Sequence, residues 1–481
     1  MKPYAFLSLV LVVQTLVCTT KTFAAIPQTK ENPRKYYVAL NGSDANSGSL
    51  NAPFQTINIA LSHAAPGDQV MVRAGTYYQE IKFPKSGEPG KTISLQSYPG
   101  EKPVIDGSKI NVTGWQALVT MNNVSYVTIA GFDICNLHSS AVNTDPQGIA
   151  IIGNGQHITV KNCNIYNIKN NTTLAQGRSG HAILAIGSSK TPISNLLITG
   201  CTVHDTQTGT SENVTLAGNI DGFTFSHNQV YDTENIGVIV AGGDGLNPHG
   251  TIESNYARNG VIRDNVFHHN TMTKTPETWG PDRFGAISIY VCGGANTLIE
   301  RNVVYESDRG IGLVSESNIY PTRTTIVKNN LVYNCYRAGI YMGDYLNYTI
   351  AGTKNCSVLN NTLFQNNRVA GAFGEIEGEL RLTEHCDSNV IQYNHVYAGP
   401  KDVLVHKYTL TGSHNLINHN SYFSTGQPKW IWNSTNGSPI TDFQIWKKTS
   451  GQDASSRLKI VSPKFYSNLL RKWKRSPQSK I

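Results

Sequence analysis

Three things are missing from this 481-residue sequence. Beyond the first two dozen residues no apolar run is long enough for a spanning helix, so stable membrane insertion is not expected. No long segment carries a helical period, which excludes a doubly wound sheet, whose parallel strands need helical crossovers. No Cys/His spacing resembles a zinc site. Cysteine is also odd in number: of eight, Cys18 falls in the N-terminal stretch and seven remain. Cys163 and Cys201 share one repeated frame on successive repeats, where they either bridge or fill the stack as free thiols, and the free form is favoured here.

What is present is a repeat. Asn228, Asn265, Asn302, Asn330, Asn361, Asn394 and Asn420 are each followed two residues later by an apolar side chain and three residues later by an aromatic or histidine. Cys201, Cys163 and Phe132 open the same frame earlier in the chain, and the spacing averages about 32 residues. Short β-branched runs such as Val127-Thr128-Ile129 and Ile326-Val327-Lys328 precede the frame, and runs such as Gly339-Ile340-Tyr341-Met342 follow it. These read as strands. Strands recurring at this interval without helices wind as stacked coils about 4.8 Å apart, with the right hand of parallel crossovers. The fold class is therefore all-β, a right-handed parallel β-helix. An asparagine turned inward at a bend is costly unless its amide is bonded, and an identical asparagine one coil away supplies the partner. The asparagines and the aromatic row Tyr166, Tyr231, Tyr305, Tyr333, Phe364, Tyr397 and Phe423 are read as scaffold.

Residues 1–24 read as a secretory signal, so the protein is expected outside the cytoplasm, secreted or periplasmic. Residues 25–35 are a flexible lead-in, 36–425 the β-helix with its N-terminal cap, and 426–481 an irregular C-terminal cap and basic tail. The helical spacing of Pro53 to Leu61 predicts a short helix over 55–64 that covers the open end of the first coil. Trp430, Trp432, Trp446 and Trp473 supply the far cap or, in a sharper reading, a platform for sugars. Without Lys2 and Lys21 the formal charge falls from +8 to +6, which suits an acidic partner; for an exported chain this is an acidic polysaccharide rather than nucleic acid. A monomer is expected.

Tyr37-Val38, Gly42-Ser43-Asp44, Pro53-Phe54-Gln55-Thr56-Ile57, Pro66-Gly67-Asp68, Val72-Arg73-Ala74-Gly75-Thr76-Tyr77, Val104-Ile105-Asp106-Gly107 and Tyr256-Ala257-Arg258-Asn259-Gly260-Val261 together resemble exported bacterial β-helix proteins, including family nine pectate lyases and their uncharacterised relatives. The resemblance implies calcium-assisted β-elimination on a uronate-containing polysaccharide. A cation neutralises the substrate carboxylate, and a Lys or Arg base removes the C5 proton. The acidic run Asp205, Glu212, Asp221, Asp232, Glu234 and Asp244 is the densest on the solenoid, and Asp205, Asp221, Asp232 and Glu234 are the candidate calcium ligands. Asp205 and Asp232 each stand one residue past the aromatic row and should be coil neighbours. Capping of turn amides is the ordinary role of such residues. Arg258, Lys274 and Arg309 are candidate bases, and Arg263, Arg283, Asp308 and Asp344 candidate substrate contacts.

The chain also departs from those relatives: Ile239, Cys292 and Leu313 stand where acids are common. A second expectation is glycoside hydrolysis by a carboxylate pair, Asp308 with Glu316 or Glu316 with Asp344. A third is a polysaccharide-binding β-helix without catalysis.

Overall fold

The computed structural model describes residues 33–474, except 249, 345–348, 370–374, 400–402 and 436. The secretory-signal reading and most of the lead-in lie outside the described residues. Each coil contributes one strand to each of three long sheets. Ile220–Ser226, Gln229–Thr233 and Val238–Ala241 make one such turn. We call these the base sheet, the ladder sheet and the groove sheet. Successive coils pair strand to strand in parallel throughout the three long sheets, as a right-handed parallel β-helix requires.

Side-chain alternation explains the repeat frame. Along each ladder strand the apolar residue turns inward, so that Ile165, Val203, Val230, Phe267 and Val304 stack in register and are fully buried. The next residue turns outward. Tyr166, His204, Tyr231, His268, Tyr305 and Tyr333 form a continuous stack of rings 4.8–5.1 Å apart. The ladder asparagines occupy the bend before this sheet. Asn265 Nδ2 donates to Asn302 Oδ1 at 2.9 Å, and the same bond links every neighbouring pair from Asn228 to Asn420. After the aromatic row the chain bends through left-handed residues at equivalent places, Asp205, Asp232, His269 and Glu306, with φ between 50° and 53°.

The N-terminal helix runs over Ile57–His63 and buries Ile57, Ala60 and Leu61. The far cap is more regular than an irregular cap would be, because the solenoid continues past residue 425. Trp430–Trp432 pairs with Val405–Lys407, Arg457–Ile460 pairs with Ser421–Ser424, and helices cover Phe443–Ser450 and Pro463–Lys474. Trp430 and Trp446 are buried against one another with ring centroids 5.9 Å apart, so this pair is core and not a sugar platform. All seven described cysteines, including Cys163 and Cys201, are buried free thiols. Among the described residues no helix is long and apolar enough to cross a membrane.

Candidate functional site

The outer face of the groove sheet carries a cleft of about 280 Å³. Its floor is Leu184, Ile186, Thr215, Ala217, Ile239, Ala241 and Cys292, outward residues of successive strands held in register. One wall, at the strand starts, carries Asp145, Ser179, His181, Ser211 and Glu212. The other, past the strand ends, carries Gly242, Gly243, Asp244, Leu246, Glu316 and Ser317. Trp115, 65% exposed, stands at the margin and also borders a neighbouring hollow with Gln147 and Leu246. A flat apolar ring presented to solvent beside a polar cleft suits stacking against a sugar face.

The loop following Val238–Ala241 shapes the second wall. Asn247 is buried and donates to Ser189 O at 3.0 Å and Ser254 O at 2.9 Å, which folds the loop back along the solenoid and brings Asp244 to the cleft. On the first wall Thr215 Oγ1 donates to Glu212 Oε2 at 3.0 Å. His181 lies beside Asp145, Nε2 to Oδ2 3.6 Å, and its Nδ1 is 2.9 Å from the Glu212 carbonyl. On the far wall Tyr290 donates to Glu316 at 2.7 Å.

These carboxyls share an electrostatic property. Desolvation by the surrounding protein raises the pKa of Glu212, Asp244 and Glu316 above the ordinary carboxylate range, although Asp244 and Glu316 keep solvent-exposed surface, and Asp244 pushes both of the others further up. Burial alone would depress His181, but Asp145 and Glu212 outweigh it and leave it raised. No lysine or arginine lines the cleft among the described residues. The site is a set of carboxyls coupled through Asp244, and His181 is the basic side chain on its walls.

Of the twelve candidate residues read from the sequence, the structure places only Glu316 on the cleft. The four expected calcium ligands do not converge. Asp221 lies on the base sheet, paired with Arg258 at 3.1 Å and Asn259 at 2.6 Å. Glu234 is fully buried and accepts from Arg178 at 3.0 Å, Gly209 N at 2.9 Å, Trp279 Nε1 at 2.9 Å and Thr275. Asp205 and Asp232 are indeed coil neighbours, yet the Lys274 ammonium lies 3.6 Å from Asp205 and donates to the Asp232 carbonyl. A protein cation sits where calcium was expected, so this quartet does not fit the ion.

The expected bases are likewise engaged elsewhere. Arg258 bridges Asp221 and Asn219 on the base sheet, and Lys274 is held as just described. Arg309 is buried on the groove sheet against Glu377 at 2.8 Å, beyond the cleft. Arg263, near Asp264, and Arg283, in the loop after Pro276–Trp279, are exposed and do not line the cleft. Asp308 is buried and accepts backbone amides from Met272 and Ala286 at 3.0 Å, so it holds two loops and does not pair with Glu316. Asp344 is buried against His385 at 2.6 Å and also lies off the cleft.

The apolar departures divide. Ile239 and Cys292 line the cleft floor, whereas Leu313 points into the core between Val291 and Met342. The outward residue beside Tyr290 is Gly312. A one-residue slip moves a strand position to the opposite face, which is why Leu313 is not a site position.

Residues 36–237 match the family described as Pel9A-like, right handed beta helix region, and residues 246–371 match a right handed beta helix region. The chain is 32% identical over 426 residues to the uncharacterised protein YwoF of Bacillus subtilis, covering 88% of this chain and 85% of that one. The chain belongs to the Pel9A-like right-handed β-helix family. Within that family it is 37% identical over 76 residues to pectate lyase PEL9 of Emericella nidulans, 15% of this chain and 18% of that one. The fold is similar to that of a GH136 lacto-N-biosidase from Eubacterium ramulus, with TM-score 0.53, 12% identity, and coverage of 89% of this chain and 68% of that one.

Proposed function

We propose that this Pel9A-like protein is an exported enzyme that cleaves a polysaccharide in the groove-sheet cleft by carboxyl acid–base chemistry. The observation that carries this reading is the convergence of Glu212, Asp244 and Glu316, all with raised pKa, on an open cleft beside an exposed tryptophan. Glycoside hydrolysis needs one carboxyl kept protonated to serve the leaving oxygen and a second to activate water or attack carbon. Glu212, held by Thr215 and backed by His181, is the general acid, and Asp244, opposite it on the folded loop, is the partner carboxylate. Glu316, fixed by Tyr290, orients the chain of sugars. Trp115 supplies the apolar platform.

Kinship with pectate lyases favours a second reading, calcium-assisted cleavage of a uronan. A bound ion would supply the neutralisation of a substrate carboxylate, although Glu212, Asp244 and Glu316 do not bring their oxygens together into one ligand cluster among the described residues. The two readings part at the product. Incubation with polygalacturonate, alginate and xylan, with and without chelator, is expected to release reducing ends without the absorbance of an unsaturated sugar and without dependence on calcium. Unsaturated product abolished by chelator would establish the second reading, and tight retention on a glycan without any cleavage would leave a binding protein.

A further inference from the structure

We propose that Asp232, His268 and His269, on the ladder sheet and outside the cleft, form a binding site for a divalent transition-metal ion of the zinc type. Nδ1 of His268 and Nδ1 of His269 face one another at 2.8 Å, and Asp232 Oδ1 lies 3.7 Å from His269 Nδ1. One ligand atom from each of the three residues falls within 4.8 Å of the others. Zinc stands roughly 2.0–2.2 Å from imidazole nitrogen and carboxylate oxygen, so an ion reaches all three atoms with small side-chain movements.

Two features outside the trio hold it in this arrangement. His269 Nε2 lies 3.3 Å from Glu306 Oε2. An outer carboxylate on the far nitrogen of an imidazole fixes its tautomer and leaves the other nitrogen's lone pair for the ion, the arrangement common behind metal-ligating histidines. His268 is clamped in the ring stack between Tyr231 at 4.9 Å and Tyr305 at 4.8 Å, so its orientation is set before any ion arrives. Asp232 and His269 both occupy the left-handed position one residue past the aromatic row, on adjacent coils.

The charges around the site favour a cation. Asp205, Asp232 and Glu306 supply three carboxylates, against the ammonium of Lys274 and that of Lys169 beyond it. Lys274 contacts Asp205 and the backbone carbonyl of Asp232, which leaves the Asp232 carboxylate available. Nitrogen donors select zinc, nickel or copper over calcium. A bound ion would join one coil to the next, because Asp232 and the two histidines belong to successive coils, and it would stabilise the native state in proportion to its occupancy.

The test is titration of the untagged, chelator-stripped full chain with zinc chloride at neutral pH by calorimetry, with calcium chloride as a parallel arm. One equivalent of zinc should bind saturably, raise the thermal midpoint, and bind at least tenfold more weakly to His269→Ala and to Asp232→Asn. Both side chains are half exposed, and an unchanged midpoint of the metal-free variants verifies that they fold. Absence of saturable binding, zinc affinity unaltered in His269→Ala, or calcium binding as tightly as zinc would each overturn the site.

Discussion

Two stretches along the groove sheet place carboxyls beside its strand ends to opposite effect. In the earlier coils Glu212, Asp244 and Glu316 stand in an open cleft with their pKa values raised. In the later coils Glu377 is buried among Arg309, Arg337 and Arg381, with guanidinium contacts of 2.8, 2.6 and 2.6 Å, and Glu375 joins the same cluster. Burial there opposes ionisation, but the three arginines outweigh it and hold Glu377 and Glu375 below the ordinary range. A carboxyl surrounded by arginines is fully committed to structure. Carboxyls with raised pKa in a cleft are able to exchange protons with a substrate, which is why the proposed function is assigned to the earlier coils.

This contrast breaks most visibly at Glu377. Glu377→Gln leaves Glu375 alone to balance three buried cations and should cost about 3–5 kcal/mol, read as a large fall in the denaturation midpoint. Glu212→Gln should do the reverse. It removes a general acid, which contributes roughly 10²–10⁴ in rate, while the thermal midpoint stays level or rises because one of several mutually repelling carboxyls is gone. Asn302→Leu tests the scaffold shared by both regions. It removes the acceptor for Asn265 N and Nδ2, and about 1–3 kcal/mol should be lost on denaturation.

A pH series sharpens the comparison further. Burial raises Asp308 from an ordinary 3.8 to about 7, so its native form prefers the proton. Its stability contribution is present below about pH 4 and is lost as pH rises through about 7. Asp308→Asn should flatten that part of the stability profile, and an unchanged profile would show that another group dominates. The smallest effect is expected at the cleft margin. Trp115→Ala should raise KM several-fold with kcat little changed, since the ring contacts bound sugar and no reacting atom.

The scaffold was legible in the sequence because each coil repeats the answer. The Asn302 frame recurs, its neighbours are its own copies, and inward Val304 and outward Tyr305 follow from strand alternation. The same frame placed Asp205 beside Asp232. It could not reveal that Lys274, in a loop, would occupy the space between them. The cleft was less legible because its residues do not repeat. Asp244 reaches it only through a loop whose fold-back depends on Asn247 meeting Ser189, a contact no local pattern encodes. Glu212 and Asp244 were visible as acids but not as a pair across a cleft. His181 and Trp115 were missed, although one signal was available: Ile183 pairs with Val214, so His181 and Glu212 stand at the same offset on successive coils. Extending the frame from the asparagines to the groove strands would also have shown Leu313 to face inward.

The central claim is that the cleft's carboxyls serve chemistry and not stability. The direct measurement is cleavage by wild type and Glu212→Gln on whichever glycan of the panel the wild type degrades, with the thermal midpoints of both recorded. Glu212→Gln should lose at least a hundredfold in rate with no loss of thermal stability. Wild-type rates in Glu212→Gln, or a rate loss matched by a collapse of the midpoint, would contradict it.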